Sequence, residues 1–342
     1  MIVDDRRLTT LHVDLGPDWR GGQNQALSLA IELRRMGHVA EIVALRGRPL
    51  AERAREAGVT VHEVGGRLSA GVLIRRLGAF DVVHCHDAHA LTSAWLAGVK
   101  PVVSRRVAYP ISKRRYLRAK RIIAVSQFVK QSVLACGIPD EQVEVIYDGV
   151  TVPHKPALVG PGLLLGCVGW LLPEKGQELL IRAMPEVLAR HPQCSLVLAG
   201  DGPSRRGLEG LAASLGITAS VRFAGLVDNV DQVYRSLNVF VFPSLAEPLG
   251  SSLLAAMSYG LPCVALARGA VPEVIKDGEN GLLADTPDPS AFANAILLLL
   301  DAPPLAARLA AAARQTIEER FSVERMAELT VETYRRVVRG PD

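Results

Sequence analysis

Residues 243–262, PSLAEPLGSSLLAAMSYGLP, follow one predicted strand and lead through a helix to the next, and they indicate the fold. The apolar run 239–242 before them has the composition of a buried strand, and 251–259 has the spacing of a helix. A strand that reaches a helix through a glycine, here Gly250, is the repeating unit of a parallel sheet covered by helices. The stretch therefore predicts an α/β protein.

The same alternation runs along the whole chain and predicts two doubly wound, Rossmann-like domains. A length of 342 residues suits two domains that each bury a core. A segment rich in proline and glycine, 151–162 (TVPHKPALVGPG), has the composition of a linker. We expect domains over 1–155 and 156–320, and a C-terminal helix over 321–342 that follows a break near 321–322. The predicted strands are 8–15, 40–45, 81–84, 101–104, 121–125, 163–170, 195–199, 221–224, 239–242 and 263–265, and the clearest helices are 23–36, 176–190, 205–215 and 251–259.

Glu247 is the most informative side chain of the opening stretch, because it precedes the predicted helix start at Ser251 by four residues. Its carboxylate can accept hydrogen bonds from sugar hydroxyls, while the amides of 250–252 can bind phosphate at a helix N-terminus. A capping glutamate is the structural alternative, but such a residue usually lies within the first helical turn. The arrangement therefore favours a ligand that carries both a sugar and phosphates.

Two further glycine-containing loops follow predicted strands. In 16–22 (GPDWRGG), Gly21 and Gly22 let a phosphate or sugar approach the backbone at the start of a helix. The loop lacks the GxGxxG and GxxxxGK[ST] spacings, which disfavours NAD enzymes and NTPases. In 169–176 (GWLLPEKG), Lys175 precedes a helix, where its ammonium can meet a diphosphate without a metal or can serve as an ordinary surface lysine.

Residues 81–87 (DVVHCHD) end a predicted strand with His84 and His86 on the same side of the alternation. Two histidines at this spacing are compatible with a metal, but no third ligand stands at a useful spacing, although Asp87 and His89 are close. Core histidines that are hydrogen-bonded to other protein groups are commoner than metal ligands. The functional interpretation that we prefer is a single histidine, His86, that faces a cleft and hydrogen-bonds a sugar.

Composition and charge restrict the class of protein. Hydrophobic residues make up 49% and charged residues 22%, the five cysteines form no CxxC pair, and no apolar run reaches the roughly 18 residues of a membrane span. We therefore expect a cytoplasmic protein without a disulfide framework or a zinc site. Residues 88–139 contain ten basic residues and no acidic one. The net charge is +8 for residues 1–155 and −4 for residues 156–342.

The basic stretch has two interpretations, a solvated surface or a site for an anionic acceptor or membrane headgroups. Arg105 and Arg106 are the candidate acceptor-binding residues, and 100–130 is the candidate for peripheral contact with the inner face of a membrane. A nucleic-acid partner is not expected, because the stretch lacks a series of aromatic residues for base stacking.

Taken in order, the segments GHVAEIVAL, DVVHCHD, IIAVSQFVKQSVLACGI, VIYDGV, VGWLLPEKG, LVLAGDGP, VRFAGLV and VPEVIKDGENGLL resemble family 4 of the GT-B glycosyltransferases over nearly the whole chain. The resemblance implies two domains with a cleft between them, a UDP- or GDP-linked sugar donor held mainly by the second domain, and an acceptor held mainly by the first. It also implies a C-terminal helix that crosses back to the first domain. Finally, it implies transfer with retention of configuration and without a metal or other cofactor.

The resemblance also assigns roles to individual residues. It implies catalytic roles for His86 and Glu247, with His86 on the donor sugar. The implied donor-binding residues are Gly21, Gly22, Gly169, Trp170, Lys175, Leu249, Gly250, Ser251, Ser252 and Ala255.

Two of these positions depart from the family pattern. Trp170 stands where an arginine usually shares the diphosphate charge, and Ala255 stands where a second glutamate usually binds the ribose. Each lost charge-assisted hydrogen bond weakens binding by about 1.5–3 kcal/mol, so together they lower donor affinity about a hundredfold or more unless replaced. Arg205, Arg206 and Arg268 are candidate replacements for the missing charge, and Trp170 can stack on a ring.

The expected activity is transfer of a sugar to an anionic or lipid-linked glycan of the cell envelope. A non-catalytic relative with weakened donor binding, which acts as a binding or scaffold protein, is the first alternative. Sugar-nucleotide epimerisation is the second, with Asp87 as the visible additional carboxylate.

Overall fold

The computed structural model describes residues 6–78, 80–157 and 163–340. The chain divides into two compact units: unit 1 comprises Met1–Gly149 and Val323–Asp342, and unit 2 comprises Val150–Ser322. The expected boundaries, at 155/156 and 320/321, lie within a few residues of these divisions. Of the expected linker, 151–157 belongs to unit 2 and 158–162 lies outside the described residues.

Unit 1 contains a seven-stranded parallel sheet with strand order β3-β2-β1-β4-β5-β6-β7. Its strands are β1 (Thr9–Val13), β2 (Val39–Leu45), β3 (Thr60–Val64), β4 (Val82–Cys85), β5 (Val102–Arg105), β6 (Arg121–Ala124) and β7 (Val143–Val145). Its helices are α1 (Gly21–Arg35), α2 (Pro49–Glu56), α3 (Arg67–Leu77), α4 (Ala88–Leu96), α5 (Lys113–Tyr116), α6 (Gln127–Leu134) and the C-terminal α14 (Val323–Arg339). The helix expected over 23–36 begins two residues earlier, so that Gly21 and Gly22 form its first turn.

Unit 2 contains a six-stranded parallel sheet with strand order β10-β9-β8-β11-β12-β13. Its strands are β8 (Leu164–Val168), β9 (Ser195–Ala199), β10 (Val221–Gly225), β11 (Val239–Phe242), β12 (Cys263–Leu266) and β13 (Leu282–Ala284). Its helices are α7 (Gln177–Arg190), α8 (Arg205–Ser214), α9 (Val230–Ser236), α10 (Ser251–Ser258), α11 (Val271–Val274), α12 (Pro289–Asp301) and α13 (Pro303–Arg320).

Both sheets have the doubly wound order, in which the winding direction changes once, between β1 and β4 in unit 1 and between β8 and β11 in unit 2. Ligands of open α/β sheets bind beyond the carboxyl ends of the strands at such a switch point. The α/β class expected from the sequence is therefore confirmed, and each unit has one place where a site is expected.

The C-terminal helix α14 belongs to unit 1 and packs against α1. Its buried residues include Val323, Met326, Ala327, Thr330, Val331 and Tyr334, which recur at helical spacing on one face. The hydroxyl of Tyr334 hydrogen-bonds Nδ1 of His84 on β4 at 2.6 Å, and both side chains are fully buried. A polar contact therefore joins the helix to the middle of the sheet.

Within the described residues, no single helix has the length and apolar character that crossing a bilayer requires. The consecutive helices α12 and α13 meet the criterion only as a pair, and they are bent by 103° relative to each other.

Replacement of Tyr334 by phenylalanine should lower the free energy of unfolding of unit 1 by about 1–3 kcal/mol, because Nδ1 of His84 loses its partner inside the core. Urea unfolding followed by tryptophan fluorescence and circular dichroism measures the change. Tyr109→Phe is the control, since Tyr109 is 72% exposed. Equal stability of the Tyr334→Phe variant and the wild type would contradict the proposed contribution.

Candidate functional site

The carboxyl edge of the sheet in unit 2 is formed by loops that touch each other through glycines. At Gly176, φ is +68°, and a Cβ atom would lie 2.1 Å from the carbonyl oxygen of Pro243. At Gly200, φ is +140°, and a Cβ atom would lie 2.0 Å from the carbonyl oxygen of Gly169. The loops that follow β8, β9 and β11 therefore pack backbone against backbone, which only glycine permits at these positions.

This packing brings Lys175 and Glu247 together. The Lys175 ammonium lies 2.7 Å from Oε2 of Glu247, and Ser244 Oγ donates a hydrogen bond of 3.1 Å to the same oxygen. The Glu247 backbone is held as well, because Ala270 N donates to its carbonyl oxygen at 2.9 Å. Two residues that the sequence analysis assigned to phosphate and sugar are thus direct neighbours.

The ion pair leaves hydrogen-bonding capacity on both partners. An ammonium has three N–H donors, and the structure gives Lys175 one partner, Glu247. Oε1 of Glu247 accepts no hydrogen bond from any residue that the structure describes. A ligand can therefore meet a cation and an acceptor at one place.

The N-terminus of α10 lies directly after Glu247 in the chain. Gly250 is the N-cap with φ of +102°, Leu249 is buried and Ser251 is exposed. The first amides of a helix have no partner within it, so those of 251–253 are oriented to receive an anion. Ala255 is partly exposed and follows Ser251 by one helical turn, on the same side of α10.

A cavity of about 220 Å³ lies beyond the carboxyl ends of β8 and β9 and is lined by Trp170, Asp201, Leu226 and Val227 among others. Trp170 is 45% exposed and Leu226 is 75% exposed. Aromatic and aliphatic side chains with one carboxylate at the wall fit a flat heterocycle that carries N–H donors. Trp170, which stands at the position of the family's arginine, is therefore part of the wall of a cavity whose lining suits such a ring.

The expected replacements for that arginine are mostly engaged elsewhere. Arg205 pairs with Glu209 at 2.8 Å and with Asp201, a residue of the Trp170 cavity, at 3.4 Å. Arg268 donates to the carbonyl oxygens of Ala267 and Asp285. Of these two arginines, Arg205 alone contacts a residue that lines the cavity, Asp201.

In unit 1, three buried histidines meet at the switch point. His12 lies on β1, and His84 and His86 lie on or directly after β4; the ring centroids of His84 and His86 are 4.2 Å apart, and those of His12 and His86 are 5.3 Å apart. Strand pairing sets His12 directly opposite His84. The third potential metal ligand, for which the local spacing offered no candidate, is thus on another strand.

The ring nitrogens of these histidines are already hydrogen-bonded. His12 Nδ1 and His86 Nε2 are 3.0 Å apart, and the other nitrogens contact Thr10, Ser104, Tyr334 and Arg106. The Arg106 guanidinium is 3.1 Å from His86 Nδ1, which opposes a second cation there. Although three nitrogens could ligate a metal by distance, the arrangement fits a hydrogen-bonded network better.

Burial sets the charge of this network. Burial, and then the charge of Arg106, lower the pKa of His12 to about 3. Burial also lowers the pKa of His84 and of His86 well below the usual value, with smaller contributions from neighbouring histidines and from Arg106. All three histidines are therefore neutral at physiological pH.

The two predicted acceptor-binding arginines both have partners within unit 1. Nη2 of Arg105 donates to the carbonyl oxygen of Tyr109 at 2.5 Å. Nε of Arg106 donates to both carboxylate oxygens of Asp148 at 3.0 Å, and the two side chains are each 12% exposed. Asp148 was not predicted to have a role, although it lies in VIYDGV, a segment that carries the family resemblance.

Asp87, the candidate for a different chemistry, has a structural role. Its Oδ1 accepts from the amides of His89 and Ala90 and caps α4, and its Oδ2 accepts from the amide of Leu15 at 2.5 Å. The carboxylate therefore holds the loop after β1 against the start of α4.

Asp14 is a carboxylic acid with a raised pKa, and the sequence analysis did not identify it. Its Oδ1 accepts from the amide of Gly16 and from Nε2 of Gln23, while Oδ2 is buried without a partner among the described residues. Burial, and then the charge of Asp87, raise its pKa to about 6. Gly22 lies in the helix turn beside it and close to Arg106, whose Cδ would be 4.0 Å from a Cβ at that position.

Comparison with known proteins identifies the family of the chain. Residues 19–152 match the family described as Glycosyltransferase Family 4, and residues 153–316 match the family described as Glycosyl transferases group 1. An uncharacterized glycosyltransferase of Methanocaldococcus jannaschii is 28% identical over 90% of this chain and 92% of its own length. D-inositol 3-phosphate glycosyltransferase of Acidothermus cellulolyticus is 30% identical over 69% of this chain and 63% of its own length. The structure of Anabaena HepE in complex with UDP and glucose superposes with a TM-score of 0.83 at 21% identity, over 96% of this chain and 99% of that one.

The two doubly wound sheets thus have the GT-B fold, and the family matches identify the chain as a glycosyltransferase. The chain belongs to family 4 of these enzymes, the group 1 glycosyl transferases. The individual site residues expected from the sequence stay predictions. Among them, Lys175, Glu247 and 249–252 share one edge of unit 2, and His86 and Arg106 share one network in unit 1.

The stability of the protein should depend on pH through Asp14. The pKa of this carboxyl is 3.8 in the unfolded chain and about 6 in the folded protein. The protonated carboxyl therefore contributes to the free energy of unfolding below about pH 4, and this contribution is lost as the pH rises to about 6. The Asp14→Asn variant does not lose stability in this way, because an asparagine side chain does not ionise. Its free energy of unfolding relative to wild type should therefore rise by up to about 3 kcal/mol between pH 4 and pH 7.

Urea unfolding at four or more pH values measures the difference. Asp18→Asn is the matched control, because the Asp18 side chain is 57% exposed. A difference between Asp14→Asn and wild type that is constant with pH would show that the Asp14 pKa is not raised.

Proposed function

We propose that the protein is a retaining, metal-independent glycosyltransferase that moves a sugar from a UDP- or GDP-linked donor to an anionic or lipid-linked acceptor of the cell envelope. The observation that carries the proposal is the Lys175–Glu247 pair at the N-terminus of α10, beside the Trp170 cavity. In this proposal unit 2 binds the donor and unit 1 binds the acceptor.

The donor is proposed to bind unit 2 in three parts. The base occupies the Trp170 cavity, where Asp201 can accept hydrogen bonds from its N–H groups. The diphosphate lies against the Lys175 ammonium and the free amides at the start of α10. The sugar hydroxyls donate to Oε1 of Glu247.

This arrangement supports a reaction without a divalent cation. As the donor bond breaks, charge grows on the diphosphate, and Lys175 with the helix N-terminus stabilises that charge. Family membership supports retention of configuration, in which the acceptor attacks from the face that the leaving group vacates and a donor phosphate oxygen takes the acceptor proton. Glu247 then orients the sugar and makes no covalent bond.

The missing ribose contact gives a direct test of the donor site. Ala255→Glu should tighten the binding of UDP or GDP about tenfold to a hundredfold, because a carboxylate one helical turn from Ser251 regains hydrogen bonds from ribose hydroxyls. Calorimetry with UDP, GDP and ADP measures affinity, and release of free sugar from the matching nucleotide-sugar measures turnover.

Ala255→Met is the matched control, because it adds similar bulk without an acceptor. No gain in affinity for UDP or GDP in the glutamate variant would contradict the ribose assignment. If wild type and Ala255→Glu bind no nucleotide and release no sugar, the non-catalytic alternative replaces the enzyme.

The acceptor proposal rests on a basic surface of unit 1, defined here as Lys113, Arg114, Arg115, Arg118 and Lys120, all of which are exposed. The broader stretch 100–130 does not form one surface, since Val102, Val103 and 122–124 are buried in strands.

Two apolar side chains next to the basic surface, Trp95 and Leu117, are 45% and 44% exposed, and Arg118 lies over the Trp95 ring at 4.6 Å. Cations next to exposed apolar side chains suit anionic lipid headgroups. The acceptor named for the Acidothermus relative is a phosphate ester, which agrees with an anionic acceptor.

Charge reversal on the basic surface should reduce sedimentation with liposomes that contain phosphatidylglycerol. The variant Arg114→Glu with Arg115→Glu changes the net charge by four, and each lost cation near an anionic bilayer weakens binding by about 1 kcal/mol. Arg222→Glu with Lys276→Glu, at two exposed positions of unit 2, makes the same change of charge and is the control. Equal binding by both double variants would show that the basic surface does not contact the membrane.

A further inference from the structure

The hydrogen bonds around His86 have only one consistent direction. A guanidinium has no acceptor, so Arg106 Nη1 must donate to His86 Nδ1, which therefore carries no hydrogen. A neutral His86 then carries its hydrogen on Nε2 and donates it to Nδ1 of His12, 3.0 Å away. His12 in turn donates from Nε2 to Thr10 Oγ1, and Thr10 donates to the carbonyl oxygen of Val39 at 3.0 Å.

This chain of donors starts at a buried charge and ends at a backbone carbonyl oxygen. Reversing any member would place two hydrogens or two lone pairs against each other. An imidazolium at His86 would direct an N–H at the guanidinium, so the charged form is excluded by geometry as well as by burial. The tautomers of His86 and His12 are therefore determined by Arg106.

The same contacts determine the position of Arg106. Nε of Arg106 donates a hydrogen bond to the Asp148 carboxylate, and Nη1 donates one to Nδ1 of His86. Among the described residues, Nη2 has no hydrogen-bond partner. The side chain is 12% exposed and lies beside Gly22, where a Cβ atom would stand 4.0 Å from Cδ of Arg106.

We propose that His86 is a positioning residue for Arg106: as the neutral tautomer with its hydrogen on Nε2, it holds the guanidinium together with Asp148 and leaves Nη2 to bind a phosphate of the acceptor. The phosphate part rests on the proposed function, whereas the positioning part rests on the network alone. His86 then acts through Arg106 and not by hydrogen-bonding the donor sugar with its ring.

The first experiment determines the tautomer in the full chain. Long-range proton–nitrogen correlation spectra of protein labelled with ¹⁵N-histidine distinguish a bare ring nitrogen from a protonated one, and single histidine-to-glutamine variants assign the signals. We expect a bare Nδ1 and a protonated Nε2 for both His86 and His12 at pH 7. A protonated Nδ1 on His86 would overturn the proposal.

A pair of arginine variants tests the cause. Arg106→Met removes the donor and should convert His86 to a mixture of tautomers, which moves both of its nitrogen signals. Arg105→Met is the matched control, because Arg105 contacts Tyr109 and not His86, and it should preserve the wild-type signals. An unchanged His86 in Arg106→Met would show that the guanidinium does not orient the ring.

The second experiment uses inorganic phosphate as the probe and the Arg106 Nη signals as the readout. His86→Leu should weaken phosphate binding about tenfold, because it removes a hydrogen bond to a charged group. His86→Asn, whose Oδ1 can occupy the position of Nδ1, should bind within about threefold of wild type. Equal weakening in both variants would contradict the positioning role.

The two parts can fail separately. If phosphate leaves the Arg106 signals of the wild type unchanged while the tautomers are as expected, the anionic acceptor is wrong and the positioning of Arg106 stands. If phosphate binds but His86 carries a hydrogen on Nδ1, the positioning role is wrong and the anionic acceptor stands.

Discussion

Parallel strands joined by right-handed crossovers extend a sheet in one direction as long as the helices stay on one face, and each sheet of this protein changes direction once. At that change, the loops after the two central strands turn to opposite faces and leave space between them. Lys175 and Glu247 follow β8 and β11, and the histidine network lies on and after β1 and β4. The chemistry of the protein therefore depends on the hydrogen bonds that pair these central strands.

Each unit has an ion pair at or beside its switch point that is poorly exposed to water. In unit 2, Glu247 has a side chain that is 11% exposed, against 29% for Lys175. In unit 1, Arg106 and Asp148 are each 12% exposed. Removing water from a charge pair is costly, so such pairs contribute little to stability when intact, and the loss of one partner is strongly destabilising. Their value lies in placing a charge where a ligand can use it without reorganisation.

The sequence predicted what depends on local pattern and burial. Strands that are buried on both faces, such as β4 and β11, read as short apolar runs, and the glycine before α10 indicated the helix start. The edge strand β3, TVHEV, was not predicted, because its half-exposed face carries polar residues and the run resembles a loop. The third histidine and Asp148 were missed for a different reason, since the proximity of His12 to His86 and of Asp148 to Arg106 comes from strand order and not from spacing along the chain.

The helix α14 has a consequence for how the chain acquires its structure during synthesis. Unit 2 is continuous, so all of its residues are available once residue 322 has emerged from the ribosome. Unit 1 is made first, yet its core lacks Tyr334 and the rest of the apolar face of α14 until α14 itself has been made. Its completion requires a contact across 250 residues, between His84 and Tyr334. We therefore expect the half that is translated first to finish folding last, because the apolar side chains of α1 that pack against α14 have no cover until α14 has been made.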